Sequence, residues 1–235
     1  GTAYRMHVGN FPRPAAVYPA GGQAGENLAV KFIGDVSGDF AQNFKLPSAS
    51  QARFGVIAEQ AGSLAPSPNW LRVSLFPNVL ESGNKQDVAH ATKTDLSVPL
   101  AFNGVLAKDG ETDWFAFKAK KGQVIDVNVY ARRIRSPVDS IIQIFDTNGK
   151  GLLAQNDDAA GADSALRFTP PADGEYFFKV TDHLGKGGPE YTYRVELDEV
   201  RPIVALSIGD VARQDTQTRK WAVIHKGNRY AALLN

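Results

Sequence analysis

Two neighbouring runs of alternating residues constrain the fold of this chain more than any other feature. Residues 113–120 read Asp-Trp-Phe-Ala-Phe-Lys-Ala-Lys, and after a turn at Lys121-Gly122-Gln123, residues 124–130 read Val-Ile-Asp-Val-Asn-Val-Tyr. A period of two with aromatic and β-branched residues, bounded by glycine and aspartate, is typical of half-buried antiparallel strands. The middle of the chain is therefore predicted to be a β-sheet.

The same pattern continues towards the carboxyl end. Further short runs lie at residues 140–145, 152–155, 164–169, 175–182 and 191–197, and turn residues separate them. One of these turns is Asn148-Gly149, a pair that tolerates the positive φ of a hairpin. Seven or more short strands without a long helical period predict a β-sandwich or jelly roll. The fold class expected for the whole chain is all-β, with tandem sandwiches and little or no helix.

Composition excludes several classes of partner. The 26 basic and 25 acidic residues leave a net charge of +1, which offers no field for a nucleic acid backbone. No apolar run approaches the length that spans a bilayer. There are no cysteines, so disulfides and thiolate chemistry are excluded. We therefore expect neither nucleic acid partners nor membrane insertion.

An ordered series of short motifs resembles a known family. Residues 111–117 (Glu-Thr-Asp-Trp-Phe-Ala-Phe), Lys121-Gly122-Gln123, the Asn156-Asp157-Asp158 loop, residues 172–176 (Ala-Asp-Gly-Glu-Tyr) and Tyr191-Thr192-Tyr193 follow one another. Over residues 81–198 the chain is similar to the bacterial pre-peptidase C-terminal domain. The resemblance implies a jelly-roll accessory module of secreted bacterial proteins, found beside peptidases and other hydrolases. Some such modules bind calcium or a polymer such as collagen, and the resemblance does not imply catalysis.

Four segments are predicted along the chain. Residues 1–14 are interpreted as the last strand, at 4–8, and the linker of a preceding domain, although a chance match explains this pattern equally well. Residues 15–80 begin with a Pro-x-Gly-Gly-x-x-Gly step that is similar to the immunoglobulin-like IPT or TIG domains. Residues 81–200 are the predicted jelly roll. Residues 201–235, with a hairpin expected at Lys226-Gly227-Asn228, are interpreted as the start of a further β domain cut short.

A calcium site is implied by the resemblance, because calcium-binding relatives carry acidic residues in two segments. The matching positions here are Glu81, Asn84, Asp109, Glu111 and Asp113. A second glutamate and a Pro-Asn-Asn run that are usual in the family are absent, and fewer charged oxygens weaken a calcium site. The alternative is that these are solvated turn residues, with Asp113 capping backbone amides.

One basic cluster interleaved with tyrosine is a candidate ligand-binding surface for a peptide or sugar. The residues proposed for it are Tyr130, Arg132, Arg133, Tyr176 and Tyr191, since arginine and tyrosine are frequent in recognition surfaces. The plainer alternative is that the arginines pair with acidic loop residues, among them Asp139, Asp157, Asp158 or Asp182.

Enzyme motifs are missing from the sequence. It contains no Gly-x-Ser-x-Gly, no His-Glu-x-x-His, no phosphate-binding loop and no Gly-x-Gly-x-x-Gly. His183, beside Asp182 and with Asp139 as another acid, is the one histidine that suggests a Ser-His-Asp arrangement. A role as part of a peptidase catalytic unit is the least favoured alternative.

The function expected is therefore that of a non-catalytic accessory or spacer fragment of a secreted bacterial multidomain protein, extracellular or periplasmic. The expected partners are other domains of the same polypeptide and an extracellular protein or polysaccharide surface. Calcium is the single cofactor considered, and none is required. The main alternative is a carbohydrate- or collagen-like polymer-binding module of a secreted hydrolase.

Overall fold

The computed structural model describes residues 6–82, 85–159 and 161–200, together with the backbone of two short strands beyond them. Strands and their turns account for nearly all of this structure, and the regular helices are two single 3₁₀ turns at Val88–His90 and Arg132–Ile134. The predicted all-β class is confirmed. Among these residues, no helix has the length and apolar character needed to cross a membrane.

The first sandwich contains eight strands. They are β1 (Ala16–Tyr18), β2 (Gly21–Gln23), β3 (Asn27–Ile33), β4 (Phe40–Lys45), β5 (Gln51–Val56), β6 (Glu59–Gln60), β7 (Ser63–Leu64) and β8 (Asn69–Ser74). One sheet has the order β1-β3-β4 and the other β2-β8-β5, while β6 and β7 form a small hairpin. Its core includes Phe32, Leu46, Leu71 and Val73.

The second sandwich contains nine strands. They are β9 (Asn78–Leu80), β10 (Leu100–Val105), β11 (Asp113–Ala119), β12 (Ile125–Tyr130), β13 (Ser140–Phe145), β14 (Leu152–Asn156), β15 (Ala165–Phe168), β16 (Gly174–Asp182) and β17 (Thr192–Glu199). A five-stranded sheet in the order β15-β12-β17-β10-β9 faces a four-stranded sheet in the order β11-β16-β13-β14. Between the named strands, all pairs except the parallel β9–β10 pair are antiparallel.

The alternation in sequence becomes the core between these two sheets. Phe115 and Phe117 of β11 point inward with Phe178 of β16, and Phe102 of β10 meets them from the opposite sheet. The ring centroids of Phe102 and Phe115 both lie within 5.1 Å of that of Phe178. Tightly packed aromatic rings of this kind dominate the energetics of a core.

Strand β17 is buried on both faces, which its alternating sequence does not predict. Tyr193 and Val195 point into the core. Arg194 and Glu196 point the other way, yet they are 0% and 4% exposed, because strands β1 and β8 of the first sandwich lie against this side of the second. The two sandwiches belong to one compact unit, Gly1–Val200.

Some strand assignments differ from the sequence analysis. Residues 78–80, placed there in the first domain, pair as β9 with β10 of the second sandwich. Met6, His7 and Val8, in the predicted strand 4–8, are exposed and outside any strand; the described residues offer them no strand partner, and an unpaired segment does not form a ladder. The hairpin expected at residues 226–228 lies outside the described residues. Val211–Ala212 and Thr218–Arg219 form a two-stranded antiparallel pair, β18 and β19.

Removal of a central ring tests the assignment of the core. Phe178→Ala should lower the free energy of unfolding by about 3–5 kcal/mol, the usual cost of a large cavity. Leu184→Ala, at a position that is 74% exposed, is the control and should have little effect. Urea denaturation measures both, and equal losses would contradict this core.

Candidate functional site

Three of the five predicted calcium ligands lie together around one lysine. Glu81 follows β9, Glu111 lies in the turn before β11, and Asp113 begins β11. Strands β9 and β11 are each the last named strand at one end of their sheets. The lysine is Lys85, which is 5% exposed. Its backbone carbonyl accepts a hydrogen bond from Trp114 N at 2.8 Å, which holds Lys85 beside the start of β11.

The Lys85 ammonium is surrounded by oxygen atoms. It donates hydrogen bonds to Glu81 Oε2 and to the carbonyl oxygen of Val105 at 2.8 Å. Asp113 Oδ2 lies 3.1 Å from Lys85 Nζ, and Glu111 Oε1 lies 3.9 Å from it. The ammonium thus lies between three of the acids that the sequence suggests for a metal. We call Lys85 with Glu81, Glu111 and Asp113 the Lys85 cluster.

The acidic group is held from the other side by backbone and tyrosine donors. Tyr193 Oη donates to Asp113 Oδ2 at 2.6 Å, and Val105 N donates to Glu81 Oε2 at 2.7 Å. This packing requires glycine at position 104, because a Cβ there would lie 2.4 Å from Tyr193 Oη. Strands β10 and β17 therefore position the carboxylates as firmly as β11 does.

Burial dominates the protonation equilibria of the cluster. Desolvation raises the pKa of Asp113 to about 7, although the Lys85 charge and the Tyr193 hydrogen bond oppose the shift. Desolvation also raises the pKa of Glu81, against the opposing effects of Lys85 and of the Val105 amide. The pKa of Tyr193 is raised well above its usual value, first by burial and then by the nearby carboxylates. The single positive charge of Lys85 thus offsets only part of the desolvation cost of the ionised carboxylates.

The residues present do not fit a calcium ion while Lys85 keeps this position. Calcium takes six to eight oxygen ligands, and here the ammonium occupies the space between them. Asp113 Oδ1 is buried without a hydrogen-bond partner in the part of the chain that the structure describes. Over the same residues, no group of three or more acidic or histidine side chains has the arrangement of a metal site.

The remaining two predicted calcium ligands do not join the cluster. Asp109 is exposed; its carboxylate accepts hydrogen bonds from Gly187 N at 3.0 Å and from Lys186 Nζ at 3.3 Å. It therefore fastens the loop between β16 and β17. Asn84 lies outside the described residues.

The five residues proposed as a ligand surface take different structural roles. Tyr176 is 1% exposed and its hydroxyl donates to Ala172 O at 2.7 Å, so it belongs to the core. Tyr191 packs against the same core. The guanidinium of Arg133 lies 4.0 Å from the Tyr130 ring and binds Asp163, with 2.8 Å between Nε and Oδ2.

Arg132 has the acidic neighbour that the plainer alternative names. Its Nη2 lies 3.9 Å from Asp139 Oδ2. The partner of Arg133 is Asp163 rather than one of the four acids suggested from sequence. A ligand-binding role for the basic cluster stays a prediction, and the buried Tyr176 cannot form part of an exposed surface.

Asp182, the acid beside His183, is engaged by the backbone. Its carboxylate accepts hydrogen bonds from the amides of Asp139 at 2.8 Å, Leu184 at 3.1 Å and Lys186 at 2.9 Å. The His183 amide donates to Asp139 O at 2.7 Å. This set of contacts shapes the loop after β16 in the manner of an Asx turn.

A second buried polar group joins the two sandwiches. The Arg194 guanidinium donates from Nε to Glu196 Oε1 at 2.9 Å, from Nη2 to Ser74 Oγ at 2.9 Å and from Nη1 to Asn78 Oδ1. Ser74 belongs to the first sandwich and Glu196 to the second. A Cβ on Gly21, also in the first sandwich, would lie 2.5 Å from Arg194 Cδ, so the backbones approach closely here.

Two further side chains of the first sandwich reach the second. Arg72 Nη2 lies 3.2 Å from Glu196 Oε2, and its guanidinium carbon lies 4.8 Å from the centre of the Tyr130 ring. Tyr18 Oη donates to Asn103 O at 3.3 Å. We call this group, with Arg194, Glu196, Ser74 and Asn78, the joint. It contains both members of a buried ion pair and their hydrogen-bond partners.

Comparison with known proteins agrees with the resemblance found in the sequence. Residues 111–182 match the family model described as the bacterial pre-peptidase C-terminal domain. The predicted family resemblance is confirmed for this region. The matched range runs from the turn before β11 to the end of β16, and it includes Glu111 and Asp113 of the Lys85 cluster. Lys85 and the joint residues lie outside the matched range.

A curated relative shares a stretch of similar sequence with the chain and is a larger protein. The chain is 42% identical over 78 residues to a probable subtilase-type serine protease of Deinococcus radiodurans. The match covers 33% of this chain and 11% of that protein. The chain thus matches about a tenth of the length of this relative.

Three solved structures that resemble the chain come from different organisms. The pre-peptidase C-terminal domain of a Bacillus anthracis collagenase has a TM-score of 0.37 at 17% identity, covering 46% of this chain and 94% of its own. A periplasmic lysozyme inhibitor of Aeromonas hydrophila scores 0.34 at 12% identity, over 52% and 99%. A Clostridium perfringens ZmpB fragment that contains a carbohydrate-binding module scores 0.32 at 10% identity, over 74% and 38%. The likeness of residues 15–80 to IPT or TIG domains stays a prediction.

Lys85 and Arg194 are the important residues that the sequence analysis did not single out. The Arg-Val-Glu spacing of residues 194–196 contains a usable signal, since it places two opposite charges on one face of a strand. Lys85 carries no such signal. Its acidic partner Asp113 is 28 positions away, and only the fold brings them together.

The raised pKa of Asp113 predicts a pH dependence of stability. In unfolded chains its carboxyl has an ordinary pKa near 4, so between about pH 4 and pH 7 the folded state holds a proton that the unfolded state has released. The contribution of this proton to the free energy of unfolding is fully present below about pH 4 and is lost as the pH rises through about 7. The full shift in the pKa of Asp113 corresponds to about 4 kcal/mol of unfolding free energy.

Denaturation of wild type and Asp113→Asn from pH 4 to pH 8 measures this effect. The variant, neutral at every pH, should lose less stability over that range than wild type. Asp95→Asn, at a fully exposed side chain, is the control. Parallel curves for wild type and Asp113→Asn would contradict the shift.

Proposed function

We propose that this chain is a non-catalytic accessory and spacer segment of a secreted bacterial multidomain hydrolase, in which two sandwiches hold neighbouring domains at a fixed separation. The observation that carries the proposal is the joint, where a fully buried arginine links both sandwiches. A spacer needs a defined geometry more than it needs reactive groups.

The joint is suited to rigidity because its contacts are buried and directional. A buried guanidinium with its N–H groups bound to oxygens cannot move without leaving charge or acceptors unpaired, which is costly in a low-dielectric interior. Arg194 has such partners in Ser74, Asn78 and Glu196. Two domains joined only by a linker would be free to reorient.

The comparisons support a position of this segment next to a catalytic domain of a longer protein. The matched relative is named a probable serine protease, and the shared region is a small part of it. We infer that this region accompanies a catalytic unit and does not form it. Secretion and an extracellular or periplasmic location follow for this chain as part of the same proposal.

A matched pair of arginine substitutions tests the joint. Arg194→Ala should lower the free energy of unfolding by about 3–5 kcal/mol, because it strips partners from a buried network. Arg167→Ala removes the exposed pair with Asp126 on β12 of the same sheet and should have a much smaller effect, since surface ion pairs contribute little. Equal losses in urea denaturation would contradict the assignment.

The fixed geometry can be measured directly, because the chain has no cysteine of its own. Spin labels at Ala29→Cys on β3 and Gln155→Cys on β14, both exposed strand positions, report the distance between the sandwiches by pulsed electron resonance. One narrow distance distribution is expected for the otherwise unchanged chain. A broad or double distribution would overturn the rigid-spacer proposal.

Incubation with substrates separates the spacer from its rivals. The purified chain should not cleave casein, gelatin or a mixed peptide library, and it should not sediment with insoluble collagen or polysaccharides. Hydrolysis that survives rigorous repurification would favour the catalytic alternative. Saturable cosedimentation would favour a polymer-binding module.

A further inference from the structure

Lys85 places a positive charge inside a cage of carboxylate and carbonyl oxygens. The cage combines three carboxylates with the Val105 carbonyl. Carboxylate and carbonyl oxygens are the ligands that calcium prefers. No nitrogen or sulfur ligand is among these contacts.

We propose that the Lys85 ammonium is a built-in substitute for a bound metal ion, so that this chain folds independently of calcium, and that deleting the lysine side chain turns the cage into a calcium site. The inference is independent of the spacer function. It concerns how the second sandwich closes at β9 and β11.

The hydrogen bonds of Lys85 indicate that the ammonium binds only some of the oxygen atoms that a metal ion would bind. An ammonium has three N–H donors; here two are bound to Glu81 Oε2 and Val105 O, and Asp113 Oδ2 is an ion-pair partner at 3.1 Å. Glu111 Oε1, 3.9 Å from the ammonium, is beyond hydrogen-bond distance. Asp113 Oδ1 is buried without a partner among the described residues. Both are oxygens that an ion of higher coordination number would use.

The charge count agrees with the hydrogen bonds. When Glu81, Glu111 and Asp113 are all ionised, their three negative charges face one ammonium. A divalent ion would neutralise one more charge. Loss of Lys85 without replacement would leave carboxylates close together in a buried place, which is strongly unfavourable. A variant without the lysine should therefore depend on an added cation.

The test compares two substitutions of Lys85 in the full chain. Lys85→Ser clears the centre of the cage, whereas Lys85→Met removes the charge but keeps the bulk. Thermal unfolding is recorded in EDTA and in excess calcium, and terbium luminescence excited through Tyr193, whose hydroxyl is bound to Asp113, reports binding at the cage.

Wild type should unfold at the same temperature in calcium and EDTA, without saturable terbium luminescence. Lys85→Ser should be less stable than wild type in EDTA and should gain about 5 °C or more in calcium. Its calcium dissociation constant should be on the order of 10⁻⁴ M, the range of extracellular modules. Lys85→Met should be destabilised without calcium rescue, and Lys85→Ser combined with Asp113→Asn should lose the response.

Three results would overturn the proposal. The first is calcium stabilisation or saturable terbium binding at the cage of wild type, since the ammonium would then not take the place of the metal. The second is a folded Lys85→Ser protein that ignores calcium. The third is Lys85→Ser that fails to fold with calcium as well as without it, because the ion would then be unable to replace the lysine.

Discussion

A charged side chain that leaves water must be paired in the folded state, and the second sandwich is arranged around this constraint at two places. At one, Arg194 is fully buried and bound to Glu196, Ser74 and Asn78. At the other, Lys85 is enclosed by three carboxylates and a carbonyl. Pairs of this kind add little net stability compared with apolar packing, but breaking them is costly. They therefore favour one specific arrangement of strands over near alternatives.

The Lys85 cluster shows how one structural problem has two chemical solutions. Ionised carboxylates that approach one another at the closing ends of two sheets are stabilised by a cation, which either binds from solution or is carried on the chain. A lysine four residues after Glu81 supplies the charge without dependence on ion concentration. It supplies one charge and three donors, however. Burial still raises the pKa of Asp113 and of Glu81 against the lowering effect of that charge, and Asp113 Oδ1 has no hydrogen-bond partner among the described residues.

The joint links this chemistry to the proposed role. Because Arg72 and Ser74 of the first sandwich complete the partners of Glu196 and Arg194, the polar side of β17 is an interface and not a solvent-exposed surface. Among the residues that suggest recognition in the sequence, Tyr176 packs in the core and Arg133 binds Asp163 beside Tyr130, whereas about half of the Arg132 side chain is exposed.

By itself the sequence determined most of the strands, their turns and the family resemblance of the central region, because a period of two and glycine-bearing turns are local properties of a chain. Through the resemblance it also placed Glu81, Glu111 and Asp113 in one candidate calcium set, together with Asn84 and Asp109. Only the tertiary structure decided what lies between those acids and what covers the far face of β17. Alternation shows that Arg194 and Glu196 share a face, but not that strands more than a hundred residues earlier bury that face, and nothing local relates Lys85 to Asp113. Burial and pairing of charge depend on contacts between distant segments, and such contacts exist only once the sheets have assembled.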